Sequence, residues 1–165
     1  MRFSSILVLL IFFIGSCDKN ADDEIYNENN TNVSSGIVYN INEKPINGLY
    51  RVYYPDGNVK MEIQSKEGKP NGMGRFYTQD GVLYMQGSFI DGQADGVFYN
   101  YYPSGGIHNE MNYEKGIKNG VQKSYDEDAQ LITEVQFENG VAVSGYIIID
   151  DKKSEFTAEE LKELD

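Results

Sequence analysis

Beyond residue 35 the glycines fall on a 24-residue grid, and a grid of that period dictates architecture before any single residue is weighed. Gly48, Gly72, Gly96 and Gly120 form one column. Gly57, Gly81 and Gly105 form a second, with Ala129 in its fourth place, and Gly68, Gly92, Gly116 and Gly140 form a third. Other columns keep the same step: Tyr53, Tyr77, Tyr101 and Tyr125; Val59, Leu83, Ile107 and Leu131; Glu62, Gln86, Glu110 and Glu134; Ser65, Phe89, Tyr113 and Phe137. Four units in register without an insertion describe one supersecondary element repeated and stacked. With 17 Gly, 13 Tyr and no Trp, the composition favours strands joined by turns.

The turn chemistry says which element. In Tyr54-Pro55-Asp56-Gly57, proline fixes φ, aspartate suits the next position, and glycine takes the positive φ that follows a type I turn. Each unit is therefore a β-hairpin. With Pro55, Asp56 and Gly57 as its loop, Tyr54 stands opposite Asn58, Tyr53 opposite Val59, Arg51 opposite Met61 and Leu49 opposite Ile63. This register gathers Leu49, Met73, Val97, Val121 and the tyrosine column on one greasy face, and leaves the face of Lys60, Glu62 and Gln64 wet. A lone hairpin is unstable in water, so the units need one another. A second turn, Lys66 to Gly72, links hairpin to hairpin, while Gly36–Ile41 and Gly145–Ile149 read as flanking strands of decayed units. The expectation is ten strands in an all-β, elongated antiparallel meander of tandem 24-residue hairpins over residues 36–149.

The recurring pattern is Asn-Gly, an aromatic strand, a (Pro)-Asp-Gly turn, an aliphatic residue, Glu, an aromatic, then Lys/Asp-Gly. It resembles the MORN-repeat family in its bacterial variant form. The resemblance implies a twisted meander of hairpins used for protein or membrane contact, without an active site. Two departures stand out: Ala129 replaces the turn glycine in the fourth unit, which puts that turn's geometry in question, and Ser65 replaces an aromatic.

The N-terminus carries a different message. Arg2 precedes nine apolar residues, Ile6 to Ile14, too short at about 14 Å of helix to span a bilayer. That is a signal h-region. Ile14-Gly15-Ser16-Cys17 resembles a lipobox, and Cys17 is the only cysteine, so no intramolecular disulfide exists. The resemblance implies cleavage of residues 1–16 and lipid attachment at Cys17, with acyl chains contributing about 0.8 kcal/mol per buried CH₂. Residues 17–35, polar and acidic, read as the lipidated cysteine and a disordered tether. Asp18 just after the cysteine resembles an inner-membrane retention signal, while the cluster Asp22-Asp23-Glu24 resembles a surface-export signal, so inner and outer membrane, and periplasmic and surface-facing placement, both stay open.

In the tail, residues 150–165, Thr157 and Glu160 form a capping box with Phe156 stapled to Leu161, predicting a short C-terminal helix over about 157–164. Phe156, Leu161 and Leu164 are expected to dock on the last strand and cover its edge.

A net charge of −12 argues against nucleic acid and against electrostatic attachment to anionic lipid. No Cys/His cluster, nucleophile elbow or phosphate loop is present, so no catalytic residue, metal or cofactor is expected, nor a small-molecule substrate. His108 reads as an exposed strand residue; the acidic column recurs because the unit does; Asp91-Gly92 and Asp95-Gly96 lack the ligand spacing of a calcium loop. The candidate binding residues are Tyr50, Tyr54, Phe98 and Tyr102, an aromatic stripe placed by the hairpin register on the wet face. Either they meet a partner, or the helix, the tether or sheet curvature covers them. The expected function is a lipid-anchored, non-catalytic scaffold of the bacterial cell envelope that binds an unidentified envelope protein. The alternative is an antitoxin or immunity-type protein that neutralises a toxin.

Overall fold

The computed structural model describes residues 25–164, so the signal segment, Cys17 and the front of the tether lie outside the described residues. Fifteen strands and one helix follow in order. The tether contributes β1 (Ile25–Asn27) and β2 (Thr31–Ser34), and β3 (Ile37–Asn40) follows. The first two units supply β4 (Gly48–Tyr53), β5 (Val59–Lys66), β6 (Lys69–Tyr77) and β7 (Leu83–Ile90). The third and fourth supply β8 (Gln93–Ala94), β9 (Gly96–Tyr101), β10 (Ile107–Glu114), β11 (Ile117–Lys118), β12 (Gly120–Tyr125) and β13 (Leu131–Glu138). Then come β14 (Val141–Ile149), β15 (Lys152–Glu155) and α1 (Ala158–Lys162).

Thirteen strands form one sheet in the order β1-β4-β5-β6-β7-β9-β10-β12-β13-β14-β15, with β8 on β7 and β11 on β10. The meander is antiparallel throughout; only β1 adds in parallel, on β4. The all-β fold of tandem hairpins is as the glycine grid requires, and the short C-terminal helix is as the capping box requires. The five strands beyond the expected ten have simple origins. β8 and β11 are split from β9 and β12 where Gly96 and Gly120 take φ of 98° and 102°. β15 comes from the tail, and β1 and β2 from the tether.

The tether expectation is therefore corrected for residues 25–35. Ile25, Tyr26 and Asn27 pair with Leu49, Tyr50 and Arg51, and the Glu28 carboxylate accepts the next edge N–H, that of Tyr53, at 3.2 Å. An open sheet edge offers unpaired backbone groups, and this short polar segment satisfies them. β2 and β3 form a separate two-stranded sheet joined by a tight turn at Ser35-Gly36, so β3 is not a strand of the main sheet. It still docks on the array, since Val38 N–H donates to Gly68 O at 2.9 Å.

The register also differs, for one local reason. Tyr53 pairs with Val59 as expected, but Val52 pairs with Met61, which leaves Lys60 as an extra residue in a β-bulge. The bulge recurs at Tyr84, His108 and Ile132. An unpaired residue reverses the parity of everything beyond it. Arg51 consequently pairs with Glu62, not Met61, and Ile63 pairs with Tyr50, not Leu49. The buried face carries Tyr50, Val52, Met61, Ile63 and their equivalents, whereas Met73 and Val97 are 39% and 36% exposed.

Glycine shapes that face. A Cβ at Gly87 would overlap the Phe98 ring, and one at Gly74 would come within 2.8 Å of Phe89. The rings of Phe89, Phe98 and Tyr113 pack edge-to-face with centroids 5.2 Å apart at each step. At the C-terminal end Phe156 and Leu161 pack on Val135, Phe137 and Ala142. The Thr157–Glu160 capping box starts α1 as predicted, but the helix covers the sheet face, while β15 takes the edge of β14. Leu164 stays 36% exposed, and its contribution is a carbonyl accepting from Lys118 Nζ at 3.0 Å.

Candidate functional site

Two kinds of joint hold unit to unit. The first lies at the Xaa-Gly turns. Glu67 and Gly68 both have positive φ, 51° and 75°, as do Asp91-Gly92, Lys115-Gly116 and Asn139-Gly140, which makes each a two-residue type I′ hairpin. The glycine N–H of each turn donates back to the carbonyl of Ile46, Pro70, Ala94 or Lys118, in every case at 2.8 Å. The preceding Asn/Asp column helps: Asn47 and Asp95 side chains accept from Glu67 N–H and Lys115 N–H at 3.0 and 3.2 Å. The Asn-Gly and Lys/Asp-Gly signatures are the two halves of this joint.

On the outer face, the tyrosine column reaches back one unit to the Glu/Gln column. Tyr77 donates to Glu62 Oε1 at 3.1 Å, and Tyr101 OH accepts from Gln86 Nε2 at 2.6 Å. Arg51 and Arg75 also meet Glu62, at 3.1 and 3.4 Å. Burial pushes the Glu62 carboxyl up, but the Tyr77 hydroxyl and the two guanidiniums outweigh it and hold the group below the usual carboxylate range. Burial and the adjoining Glu62 raise Tyr77; burial and then Glu110 raise Tyr125. The acidic column is thus consumed in structure.

The second joint lies at the opposite edge, where the three-residue turns stand side by side. Tyr54 OH donates to Tyr77 O of the next unit at 2.9 Å, and Tyr102 OH donates to Tyr125 O at 2.8 Å. In each case the bulge residue of the same unit lies against the ring: Lys60 Nζ is 5.7 Å from the Tyr54 centroid, and His108 stacks on Tyr102 at 4.4 Å. The same column in the second and fourth units holds Thr78 and Asp126, which turn back into their own loops. Thr78 Oγ1 accepts from Val82 N–H at 3.1 Å, and Asp126 Oδ1 accepts from Asp128 and Gln130 N–H at 3.0 and 2.8 Å. Joints one and three are clipped, and joint two is open.

A groove of about 200 Å³ lies at that open joint, lined by Thr78, Asp80, Val82, Leu83 and Tyr84 on one side and Tyr101, Tyr102 and Pro103 on the other. Tyr84, the bulge residue, is 41% exposed on its wall. A wider groove at the fourth unit has a different lining, with the carboxylates of Asp126, Asp150 and Asp151 beside Leu131, Ile132 and Ile148 and no aromatic residue.

The expected aromatic stripe is taken apart by this geometry. Phe98 is 5% exposed and belongs to the buried face, and Tyr50 shares that face through its pairing with Ile63. The bulge put them there. Tyr54 and Tyr102 sit at the turn edge, half-buried, with their hydroxyls engaged. Of the four, only Tyr102 lines the groove. Sequence reasoning passed over Tyr84, Tyr101 and Thr78; the usable signal was the alternation Tyr54, Thr78, Tyr102, Asp126 in one column. Among the described residues no group of three His, Cys, Asp or Glu side chains is placed to hold a metal, and no helix is long and apolar enough to cross a membrane.

No curated protein matches the chain. Among solved structures, S. aureus TarM is similar: a mutant in complex with Fondaparinux, alpha-GlcNAc-glycerol and UDP, at 14% identity and TM-score 0.28, covers 75% of this chain and 21% of that one. A second TarM crystal structure, at 15% identity and the same TM-score, covers 76% and 21%. The chain thus spans about a fifth of the TarM chains, and at that score the likeness carries no argument. The MORN repeat variant family matches at residues 46–67, 94–115 and 118–139, the first, third and fourth units. With the glycine joints that define each unit already in place, these matches make the chain a member of the MORN repeat variant family.

Proposed function

We propose that this protein is a lipid-anchored, non-catalytic scaffold of the bacterial envelope that presents the turn edge of its repeat array to a partner protein. The observation that carries the binding role is the open joint between the second and third units. There an aromatic groove is left exposed, while the flanking joints of the same array are closed by tyrosines. Exposed aromatic surface in a recess is the usual anchor of a protein interface. The acid and amide columns that might serve chemistry are engaged between units, which favours binding over catalysis. Anchorage rests on the segment Ile6 to Ile14 and on Cys17. A neutraliser of a toxin would use the same surface, and the identity of the bound protein separates the two roles.

Two measurements test this. Cys17→Ala should release the protein from membranes or block its maturation; unchanged fractionation and processing would remove the anchor. A photo-crosslinker placed at Tyr84 should capture one protein from the native envelope, and the same probe at Gln64 on the exposed outer face should not. Equal capture at both positions would remove the turn edge as the binding surface.

A further inference from the structure

We infer that the open joint is a receptor for a tyrosine side chain of a partner protein, seated as the chain seats its own Tyr54 and Tyr102. This rests on the scaffold reading and names its occupant.

The array itself supplies the template. At joint one a tyrosine ring lies between two hairpin turns, its hydroxyl on the carbonyl of Tyr77, with the bulge residue Lys60 beside it. At joint three the Tyr102 ring lies on His108 with its hydroxyl on the carbonyl of Tyr125. At joint two the repeat provides the same surroundings without the ring. The bulge position holds Tyr84, an aromatic surface at the place of His108, and the acceptor position is the carbonyl of Tyr101. Thr78, which stands where the tyrosine stands elsewhere, is folded back onto Val82 N–H and leaves the space open. Its volume, about 200 Å³, falls below the range of roughly 300–1,000 Å³ for small-molecule pockets and suits one side chain. Leu83 and Val82 supply apolar contact for a ring, and the carbonyl selects a ring that carries a hydroxyl donor. The groove at the fourth unit lacks this match: its bulge residue is Ile132 and its rim carries Asp126, Asp150 and Asp151.

The test uses the full mature chain in detergent micelles, titrated with N-acetyl-tyrosinamide and, separately, N-acetyl-phenylalaninamide, with NMR shifts of Tyr84, Tyr101 and Tyr102 as the readout. The tyrosine probe should perturb these residues and bind at least about threefold more tightly than the phenylalanine probe, the margin of one hydrogen bond. Thr78→Tyr should fill the groove and abolish binding, Thr78→Ser should retain it, and Tyr84→Ala should weaken both probes; an unchanged far-UV spectrum for each variant secures the fold. Equal affinity for the two probes, or undiminished binding by Thr78→Tyr, overturns the inference, as does the absence of any shift at saturating probe. A dimer that Thr78→Tyr dissolves also overturns it, by making a second copy the occupant. If the probes fail while the crosslinker at Tyr84 still captures an envelope protein, the scaffold stands and only its tyrosine preference falls.

Discussion

The first two units and the last two build the same hairpins with different interiors. One lateral row crosses the buried face strand by strand: Val52, Met61, Phe76 and Met85 in the first half, then Asn100, Asn109, Ser124 and Thr133 in the second. The first half is apolar throughout. The second half carries amides and hydroxyls: Ser124 Oγ donates to Asn109 Oδ1 at 2.7 Å, while Asn100 Oδ1 and Gln122 Nε2 are buried without a partner among the described residues. Its apolar burial is gathered instead in Phe98 and in the cluster that Phe156 and Leu161 close over Val135, Phe137 and Ala142. The outer face shows the same contrast. Glu62 in the first half is held by two arginines and a tyrosine, whereas Lys123 and Glu134 in the second stand 3.8 Å apart and half-exposed. One backbone template therefore tolerates two means of stabilisation, because the joints between units are backbone bonds that do not depend on which side chains line the face.

The largest break should come at the seam. Phe98 fills the space that Gly87 leaves, so Phe98→Ala should cost about 3–5 kcal/mol in chemical denaturation, and loss of cooperativity there would separate the halves into two transitions. Next is Glu62→Gln, expected to cost about 1–2 kcal/mol because it removes the charged centre of the first half's network. The matching change Glu134→Gln should stay within about 0.5 kcal/mol. The pH dependence follows from the lowered Glu62 carboxyl. A group depressed in the folded state contributes its stability above its unfolded value, near 4.5, and loses it as pH falls through the folded value. Wild type should therefore weaken on acidification below about pH 4.5, and Glu62→Gln should flatten that slope. A smaller gain, about 1 kcal/mol, is expected from Ala129→Gly, since Ala129 holds φ at 60° where the other units use glycine. Asn100→Val, which copies the apolar residue of the first half, should add up to about 1 kcal/mol by removing an unpaired acceptor; destabilisation there would mean that the amide is engaged.

Much of this was legible in the sequence because the turns announce themselves. Pro55-Asp56-Gly57 fixed the hairpin loops, and the Xaa-Gly pairs fixed the links. Even the fourth unit, with Ala129 in place of glycine, makes the same turn: Ala129 N–H donates to Asp126 O at 3.1 Å, as Gly57 N–H does to Tyr54 O at 2.9 Å. The Thr157–Glu160 box was equally plain, since capping needs only the residues that form it. The inner and outer faces were not legible beyond the first residue pair. Parity counted outward from the loop is reversed by the bulge at Lys60, Tyr84, His108 and Ile132, a column of four unlike residues that carries no compositional mark. That one unseen residue sent Tyr50 and Phe98 to the wrong face. β1 escaped notice for a different reason: three residues in a polar run become a strand only because β4 offers them an edge.

The Xaa-Gly joint has a further consequence. Each glycine N–H finds its carbonyl at 2.8 Å whatever the neighbouring units contain, so the bond is indifferent to position along the array. Such a molecule behaves like a ruler ruled in steps of 24 residues. Whole graduations can be added or struck out by duplication or deletion in the gene, and the distance between the protein's two ends changes by a fixed increment each time, with no new contact to be invented.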